Sequence, residues 1–258
     1  MLRNAFVVVL VLAVITVVAA SFLHPKISTE SAARPLAVSP VLVELFTSEG
    51  CSSCPPADKL LADLDRAGTA DGVPVIALGE HVDYWDGLGW HDRFSSKIFT
   101  ERQADFVRHL GISSAYTPQM VVDGRLELVG NDDNALHHAL DQATHSPKSS
   151  QIALAWVGEK LRIQVTDHGS HSGDILLAVT ESDLTTRVER GENGGRVLHH
   201  AAVVRQLSRL GQLKDAEFAS TASIPADPSW KKENLKAVVF VQDERTREVL
   251  GASAIAFP

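Results

Sequence analysis

Two cysteines separated by two serines are the residues of this chain best suited to covalent chemistry. Cys51 and Cys54 are the only cysteines among its 258 residues, and both lie in one four-residue motif. A cysteine attacks as its thiolate, and a pair at this spacing can close and reopen a disulfide. The same spacing occurs in metal sites and in permanent disulfides. The motif therefore predicts local thiol chemistry, with a redox pair, a metal-binding pair and a structural staple as alternatives.

A second dense group of reactive side chains extends from Glu80 to Asp92, in the sequence EHVDYWDGLGWHD. It follows an apolar run that predicts a strand, and ligand-binding loops leave open α/β sheets at that end of a strand. His81 is a candidate proton shuttle for thiol exchange, and Tyr84 and Trp85 are candidates for a substrate platform. The alternative is that the aromatic rings pack over the sheet edge and that His81 is a buried, hydrogen-bonded residue.

The elements that must position these groups follow from the apolar pattern. A strand is predicted before the cysteines and a helix after them, so the motif lies between a strand and a helix. The pair Asp123-Gly124 between two apolar runs is a strong hairpin signal. The predicted order is β, α, β, α, β, β, α, with elements at 41–46, 57–68, 74–82, 91–110, 120–122, 126–129 and, capped by Asn131, up to about 144.

The segment Tyr116-Thr117-Pro118, directly before the hairpin, adds a third motif. Together with the cysteine pair and the order of elements, it resembles the thioredoxin superfamily over roughly residues 40 to 145. The resemblance implies that Cys51 is the more exposed nucleophile and Cys54 the resolving thiol. It also implies that Pro118 is a cis residue and that Thr117 presents its backbone to an extended substrate.

Three features depart from that superfamily pattern. No tryptophan precedes the cysteine motif, where Ser48-Glu49-Gly50 stands instead. The charge of Glu49 opposes a thiolate, and Pro55-Pro56 remove two backbone donors from the start of the helix. The segment 41–132 also resembles a secreted bacterial thioredoxin-like family of unknown function, through the shared residues 44–58 and 81–85, and the resemblance extends more weakly into 191–205. This second resemblance implies a fold and an exported location, without a substrate.

From residue 150 onward apolar and polar residues alternate, which is typical of strands with one buried face. A polar stretch around Pro147 marks a domain boundary before it. His199 and His200, on a predicted strand of this half, are interpreted as surface residues. The predicted fold class is an α/β thioredoxin-like domain followed by a smaller, mainly-β sandwich domain, with a leader at 1–23, a flexible tether at 24–39 and domains at 40–147 and 150–258.

The first residues have the pattern of an export signal, with an apolar run at 5–20 behind Arg3 and small residues at its end. The run continues to residue 23, so a cleaved signal and an inner-membrane anchor through residues 5–23 are both open. Either form predicts a periplasmic or secreted protein, where disulfides persist. The net charge of −8, without a basic block, excludes a nucleic-acid-binding surface.

The leading hypothesis is an extracytoplasmic thiol–disulfide oxidoreductase that acts on exported thiol or disulfide proteins, with a redox partner that regenerates it and no cofactor. One alternative is a copper or zinc carrier that binds metal through the cysteine pair and His81 or His91. Another is a secreted, non-catalytic binding module with a structural disulfide. The predicted site comprises the catalytic Cys51 and Cys54, the proton shuttle His81, and the substrate-binding Tyr84, Trp85, Thr117 and Pro118.

Overall fold

The computed structural model describes residues 32–33, 39–169, 172–224 and 227–258. Of these residues, 44% are in strands and 19% in helices, so the protein is mainly β. The helices are α1 (Pro55–Ala67), α2 (Lys97–Leu110) and α3 (Asp133–Thr144), with a 3₁₀ turn at Lys232–Asn234. The strands are β1 (Ala32–Ala33), β2 (Val41–Thr47), β3 (Thr69–Ala70), β4 (Val73–His81), β5 (Gln119–Val122), β6 (Leu126–Val129), β7 (Ser150–Val157), β8 (Lys160–Asp167), β9 (Gly173–Glu181), β10 (Leu184–Arg187), β11 (Val197–His200), β12 (Val203–Leu213), β13 (Glu217–Ser223), β14 (Leu235–Asp243) and β15 (Val249–Ala256).

One large mixed sheet organises the molecule, in the strand order β15-β14-β9-β12-β4-β2-β5-β6, with β3 beside β4. Strands β2 and β4 are parallel and are connected through α1, in the order β, α, β that the sequence predicts. The central strand β2 is buried along its whole length. One apolar core lies between the sheet and helices α1 and α3, and a second lies on the face covered by α2.

The predicted fold class is wrong, because strands of both halves belong to this one sheet. Strand β12 from the second half pairs in parallel with β4 at Val203 and Gly79. The N–H of Gly79 donates to the carbonyl of Ala202 at 2.7 Å. A Cβ atom at Gly79 would lie 3.3 Å from Ala201 O and from Leu61 Cδ2, so a glycine permits this close approach. Residues Ser31–Pro258 accordingly form one compact unit.

The other strands of the second half form a four-stranded sheet in the order β1-β7-β8-β13. Its apolar face packs on residues of β9, β14 and β15, the far end of the large sheet. Strand β15 at that end also contacts the first half of the chain, because the N–H of Val249 donates to the carbonyl of Asp123 at 2.9 Å. The period-two alternation correctly predicts strands here, and their division between two sheets is decided by long-range pairing.

Several local predictions are confirmed. Hairpin β5–β6 turns at Asp123 and Gly124, with φ values of 51° and 72° that suit its tight turn. Helices α1 and α2 end at Gly68 and Gly111, both in the left-handed conformation. Two helix starts differ from the prediction. Helix α2 begins only at Lys97, capped by Ser96, and α3 is capped by Asp132 rather than Asn131, because these side chains accept bonds from the first-turn N–H groups.

The predicted leader at 1–23, and with it the anchor through residues 5–23, lies outside the described residues. Within the predicted tether, Ala32 and Ala33 form strand β1, which pairs antiparallel with β7. Among the residues that the structure describes, none of the helices has the length and apolar character needed to cross a membrane.

Candidate functional site

The two cysteines form a disulfide in the loop that joins β2 to α1. Cys54 is the N-cap residue of α1, and its carbonyl accepts bonds from the N–H groups of Ala57 and Asp58. Pro55 and Pro56 occupy the first helical positions, where a missing N–H disrupts no helical bond. Helix α1 therefore begins directly after the second cysteine of the disulfide.

Both cysteines are fully buried, with 0% exposure, while Ser52 and Ser53 between them are exposed. The expectation that Cys51 is the more exposed sulfur is therefore wrong for the oxidised protein. A segment of the second half accounts for part of this burial. The side-chain amide of Asn193 donates to the carbonyls of Glu49 and Cys51, each at 2.9 Å.

This covering segment comprises residues 191–196. Its Arg196 donates to Asn193 Oδ1 at 2.8 Å and holds the amide in place. Glu192 Oε2 accepts the N–H of Ser52 at 3.1 Å, and hydrogen bonds from the Ser52 side chain and backbone lower the pKa of Glu192. Gly191 has φ of 76° and packs against Trp90. From the sequence these residues were placed only at the weaker end of the family resemblance, because nothing local connects them to a loop more than a hundred residues earlier.

A cluster of buried ionisable side chains lies on the inner side of the disulfide loop. It comprises three carboxyl groups and two imidazoles, none more than 6% exposed. They come from the loop after β2, from α1, from β4 and the loop after it, and from β11. Burying five such groups is costly unless they satisfy one another, so clusters of this kind are enriched at functional sites. The members are Glu49, Asp58, His81, Asp92 and His200.

His81 and Asp92 form the most tightly bonded pair of this buried cluster. His81 Nδ1 lies 2.7 Å from Asp92 Oδ2, which also accepts the N–H of Glu49 at 2.8 Å. Burial alone would lower the pKa of His81, but the charge and hydrogen bond of Asp92 outweigh it and raise this pKa. Burial would raise the pKa of Asp92, and His81 together with the backbone donors lowers it to about 2. The pair thus holds the backbone of Glu49, two residues before Cys51. Among the described residues, His81, the predicted proton shuttle, makes no hydrogen bond to either sulfur.

His200 is the member of the cluster that the sequence analysis missed. Its Nε2 lies 3.3 Å from Glu49 Oε1, and its Nδ1 lies 3.9 Å from Asp58 Oδ2. The ring also packs edge-on against His81, with centroids 5.0 Å apart. His200 is buried while His199 is exposed, since neighbours on a strand face opposite sides. That alternation is the sequence signal that could have separated the two histidines.

Glu49 occupies a different environment from the one expected. Its Oε2 accepts the indole N–H of Trp90 at 2.7 Å, and its Oε1 faces His200. The carboxyl group of Asp58 accepts the hydroxyl of Thr47 at 2.7 Å, and burial raises its pKa against the opposing charges of His200 and His81. The carboxyl groups on the two sides of the cysteine motif therefore both point to His200.

The predicted substrate-binding residues lie together. The Thr117–Pro118 peptide bond is cis, as expected. Trp85 Nε1 donates to Thr117 Oγ1 at 2.9 Å, and Trp85 Cβ closely approaches Gly50 beside the cysteine motif. Tyr84 is 40% exposed and donates through its hydroxyl to Gln103. Trp85 therefore connects the proline loop to the cysteine loop, while the ring of Tyr84 is partly open to solvent.

The metal-binding alternative gains no support from the geometry. Among the described residues, no group of three or more His, Cys, Asp or Glu side chains is arranged to hold a metal ion. The two sulfurs are joined to each other, and Nδ1 of His81 is bonded to Asp92. His91 is exposed and pairs with Asp86 instead.

Replacing Asp92 with asparagine is expected to destabilise the protein by about 2 kcal/mol, because a charged acceptor of three buried donors is lost. The raised pKa of His81 contributes stability that is complete below 6.5 and is lost as the pH rises through its folded value. The lowered pKa of Asp92 contributes stability above 3.8 that is lost as the pH falls through about 2. The loss in free energy of unfolding relative to the wild type should therefore be largest between pH 3.8 and 6.5. Urea unfolding measured across pH checks this.

Asp71→Asn is the matched control, because Asp71 pairs with His137 on the surface. Exposed pairs contribute little, so this variant should unfold like the wild type at every pH. A difference between Asp92→Asn and wild type that does not vary with pH would contradict the charged state assigned to the buried pair.

Comparison with known proteins places the chain beside proteins without an assigned activity. A family model described as "Protein of unknown function (DUF1223)" matches residues 42–242, a range that includes both the cysteine motif and His200. A search of curated proteins finds no match. These findings confirm the predicted resemblance to a family of unknown function and do not confirm the resemblance to the thioredoxin superfamily.

Two solved structures are similar to the chain. Protein AGR_C_4864 from Agrobacterium tumefaciens is 28% identical, with a TM-score of 0.70, over 85% of this chain and 95% of that chain. HBP35 of Porphyromonas gingivalis is 14% identical, with a TM-score of 0.61, over 87% of this chain and 77% of that chain. At 14% identity, the similarity to HBP35 shows a shared fold and nothing more.

Proposed function

Because the chain belongs to the DUF1223 family, described as proteins of unknown function, its activity has to be argued from its own site, and we propose that it is an extracytoplasmic thiol–disulfide oxidoreductase. Cys51 and Cys54 are the redox pair, and cysteines of exported proteins are the substrates. The observation that carries this proposal is a disulfide at the start of a helix with five buried ionisable side chains behind it.

A disulfide that only stabilises the fold would not need five buried ionisable side chains beside it. A cross-link between residues 51 and 54 closes a very short loop, and short loops gain the least stability from cross-linking. Burying three carboxyl groups and two imidazoles costs free energy that a purely structural loop could avoid. Their presence beside the disulfide favours a reaction in which charge at the sulfurs changes.

The reaction is a thiol–disulfide exchange between the cysteine pair and two thiols of a partner protein. A partner thiolate attacks one sulfur of the pair, forming a mixed disulfide and releasing the other sulfur as a thiolate. A second thiol of the partner then attacks the mixed disulfide, so the partner leaves oxidised and the pair holds two electrons more. The reverse sequence oxidises the pair again. The direction of net transfer depends on the reduction potential of the pair relative to its partners.

Substrate access requires movement, since both sulfurs are fully buried in the oxidised protein. The covering segment 191–196 is held over the motif by two bonds from Asn193 and one to Glu192. Thr117, Pro118 and Trp85, which also borders the cysteine loop at Gly50, form the surface on which an extended substrate would lie, with the partly exposed Tyr84 beside it. We expect substrate binding to displace one of these two borders of the cysteine loop.

Redox equilibration of the native protein tests the proposal. Purified protein is incubated in glutathione or dithiothreitol buffers of graded ratio, and the reduced fraction is read as a mass shift after alkylation. We expect reversible reduction while the protein stays folded. The variant with alanine at both cysteines is the control and should give no shift. A disulfide that is reduced only when the protein is unfolded would overturn the proposal and identify a staple.

A further inference from the structure

We propose that His200 controls the thiolate character of the reduced cysteine pair by holding a proton between the carboxyl groups of Glu49 and Asp58. This inference rests on the proposed redox function and deepens it, since it names the group that compensates the sulfur charge. His200 acts as a positioning residue through electrostatics, because it has no described bond to either sulfur. It belongs to a strand far from the motif in sequence.

The first observation is the placement of His200 between the two ends of the cysteine motif. Glu49 lies two residues before Cys51, and Asp58 lies one helical turn after Cys54. Nε2 of His200 is 3.3 Å from the first carboxyl group, and Nδ1 is 3.9 Å from the second. A protonated imidazole at this position would be attracted by both carboxyl groups.

The second observation is unused hydrogen-bonding capacity in a buried place. Among the described residues, both ring nitrogens of His200 and Oε1 of Glu49 have no hydrogen-bond partner of good geometry. His200 is only 4% exposed. Buried polar atoms are nearly always bonded, so an unbonded Nε2 facing the unbonded Oε1 of Glu49, with an unbonded Nδ1 toward Asp58, indicates a site with a functional reason to be left unsatisfied. A small movement of the ring would let a proton on Nε2 bond to Glu49.

The surroundings of His200 contain few other charges that could replace it. From β4 the ring of His81 packs against it, and that imidazole is already paired with Asp92. The ring of Phe94 covers another side, with centroids 5.7 Å apart. Arg93 and Arg205 both lie over the ring of Phe94. The charge of His81 also lowers the pKa of Asp58, but Nδ1 of His81 is bonded to Asp92. His200 is thus the imidazole whose ring nitrogens lie 3.3 Å and 3.9 Å from the two carboxyl groups that flank the motif.

A reduced pair that keeps one thiolate carries a negative charge, which a nearby positive charge stabilises. A partner dithiol that becomes a disulfide gives up two electrons and two protons. If one released sulfur stays a thiolate, one proton goes to the other sulfur and the second must be bound elsewhere. A thiolate near ionised Glu49 is disfavoured by like charge in a water-excluded site. The second proton on His200 neutralises Glu49 and leaves the thiolate free to attack.

The test is the pH dependence of alkylation of the reduced protein, which gives the apparent pKa of the reactive thiol. His200→Asn is expected to raise this pKa, so that alkylation at neutral pH slows roughly tenfold. Glu49→Gln is expected to shift the profile in the opposite direction, because a negative charge is removed. His199→Asn is the matched control, since His199 is the exposed neighbour on the same strand, and its profile should equal that of the wild type.

The possible outcomes separate the role of His200 from the redox function itself. A pair that can be reduced but whose profile is unchanged in His200→Asn overturns the role of His200 and leaves the redox function standing. If His200→Asn does not fold, Glu49→Gln decides, and an unshifted profile in that variant overturns the inference. A pair that cannot be reduced in the folded protein overturns the inference together with the proposed function.

Discussion

Replacing Cys54 with serine is expected to abolish catalytic turnover and to leave Cys51 joined to its partners as a mixed disulfide. Cys54 is held in the first turn of α1, where its carbonyl bonds the N–H groups of Ala57 and Asp58. Cys51 lies in the preceding loop, and its backbone carbonyl accepts a bond from the side chain of Asn193. We therefore expect the loop sulfur to react with a partner and the sulfur at the helix cap to resolve the product.

The expected loss of turnover in Cys54→Ser is on the order of a thousandfold, because removing one member of a reacting pair stops the cycle. Mixed disulfides should be visible on non-reducing gels of extracts and should disappear on addition of dithiothreitol. Cys51→Ser is the matched control and should trap few partners or none. Stronger trapping by Cys51→Ser would reverse the two roles, and no trapping by either variant would argue against the proposed function.

Replacing Arg102 with methionine is expected to cause the largest loss of stability, about 3–5 kcal/mol, because it strands buried carboxyl groups. Arg102 Nε and Nη2 each lie 2.6 Å from Glu44 Oε2, and Nε lies 3.4 Å from Glu80 Oε1. Both carboxyl groups are fully buried on the face of the sheet covered by α2. The guanidinium also stacks on the rings of Phe106 and Phe240, contacts that the methionine side chain partly retains.

The pH dependence of this loss has a defined sign. Burial and the neighbouring charge of Glu44 raise the pKa of Glu80 well above 4.5. A carboxyl group whose pKa is raised by folding binds its proton more tightly in the folded state, so stability falls as the pH rises from 4.5 through the folded value. Without Arg102 the two carboxyl groups repel more strongly, and the destabilisation measured in urea should grow toward alkaline pH.

Glu80→Gln is the informative control for the Arg102 site. It removes the group that must lose its proton while it leaves the ion pair between Arg102 and Glu44 in place. We expect this variant to be at least as stable as the wild type at alkaline pH, with a flatter dependence of stability on pH. A Glu80→Gln protein that follows the wild-type pH profile would show that folding leaves the pKa of Glu80 unchanged, which contradicts its raised pKa.

The sequence by itself determined the local features. The strand before the cysteines, the helix ends at Gly68 and Gly111 and the hairpin at Asp123-Gly124 all depend on near neighbours, whereas the cis bond at Pro118 was implied only by the resemblance to the thioredoxin superfamily. Glycine and proline restrict or permit backbone conformations wherever they occur, so such features can be read without knowledge of the fold. The bond from Trp85 to Thr117 was not predicted from the sequence, although both residues were assigned to the substrate-binding group.

The tertiary structure alone decided which strands pair and what surrounds the disulfide. The predicted fold class was wrong because β12 pairs with β4, through Val203 and Gly79, and no local pattern in the sequence predicts that contact. The same pairing brings β11 and the covering segment to the cysteine loop, and with them His200 and Asn193. Alternation tells which side chains share a face of a strand but not which partner that face meets. The chemistry of the cysteine motif is thus visible locally, and the groups that surround it are assembled only by long-range contacts.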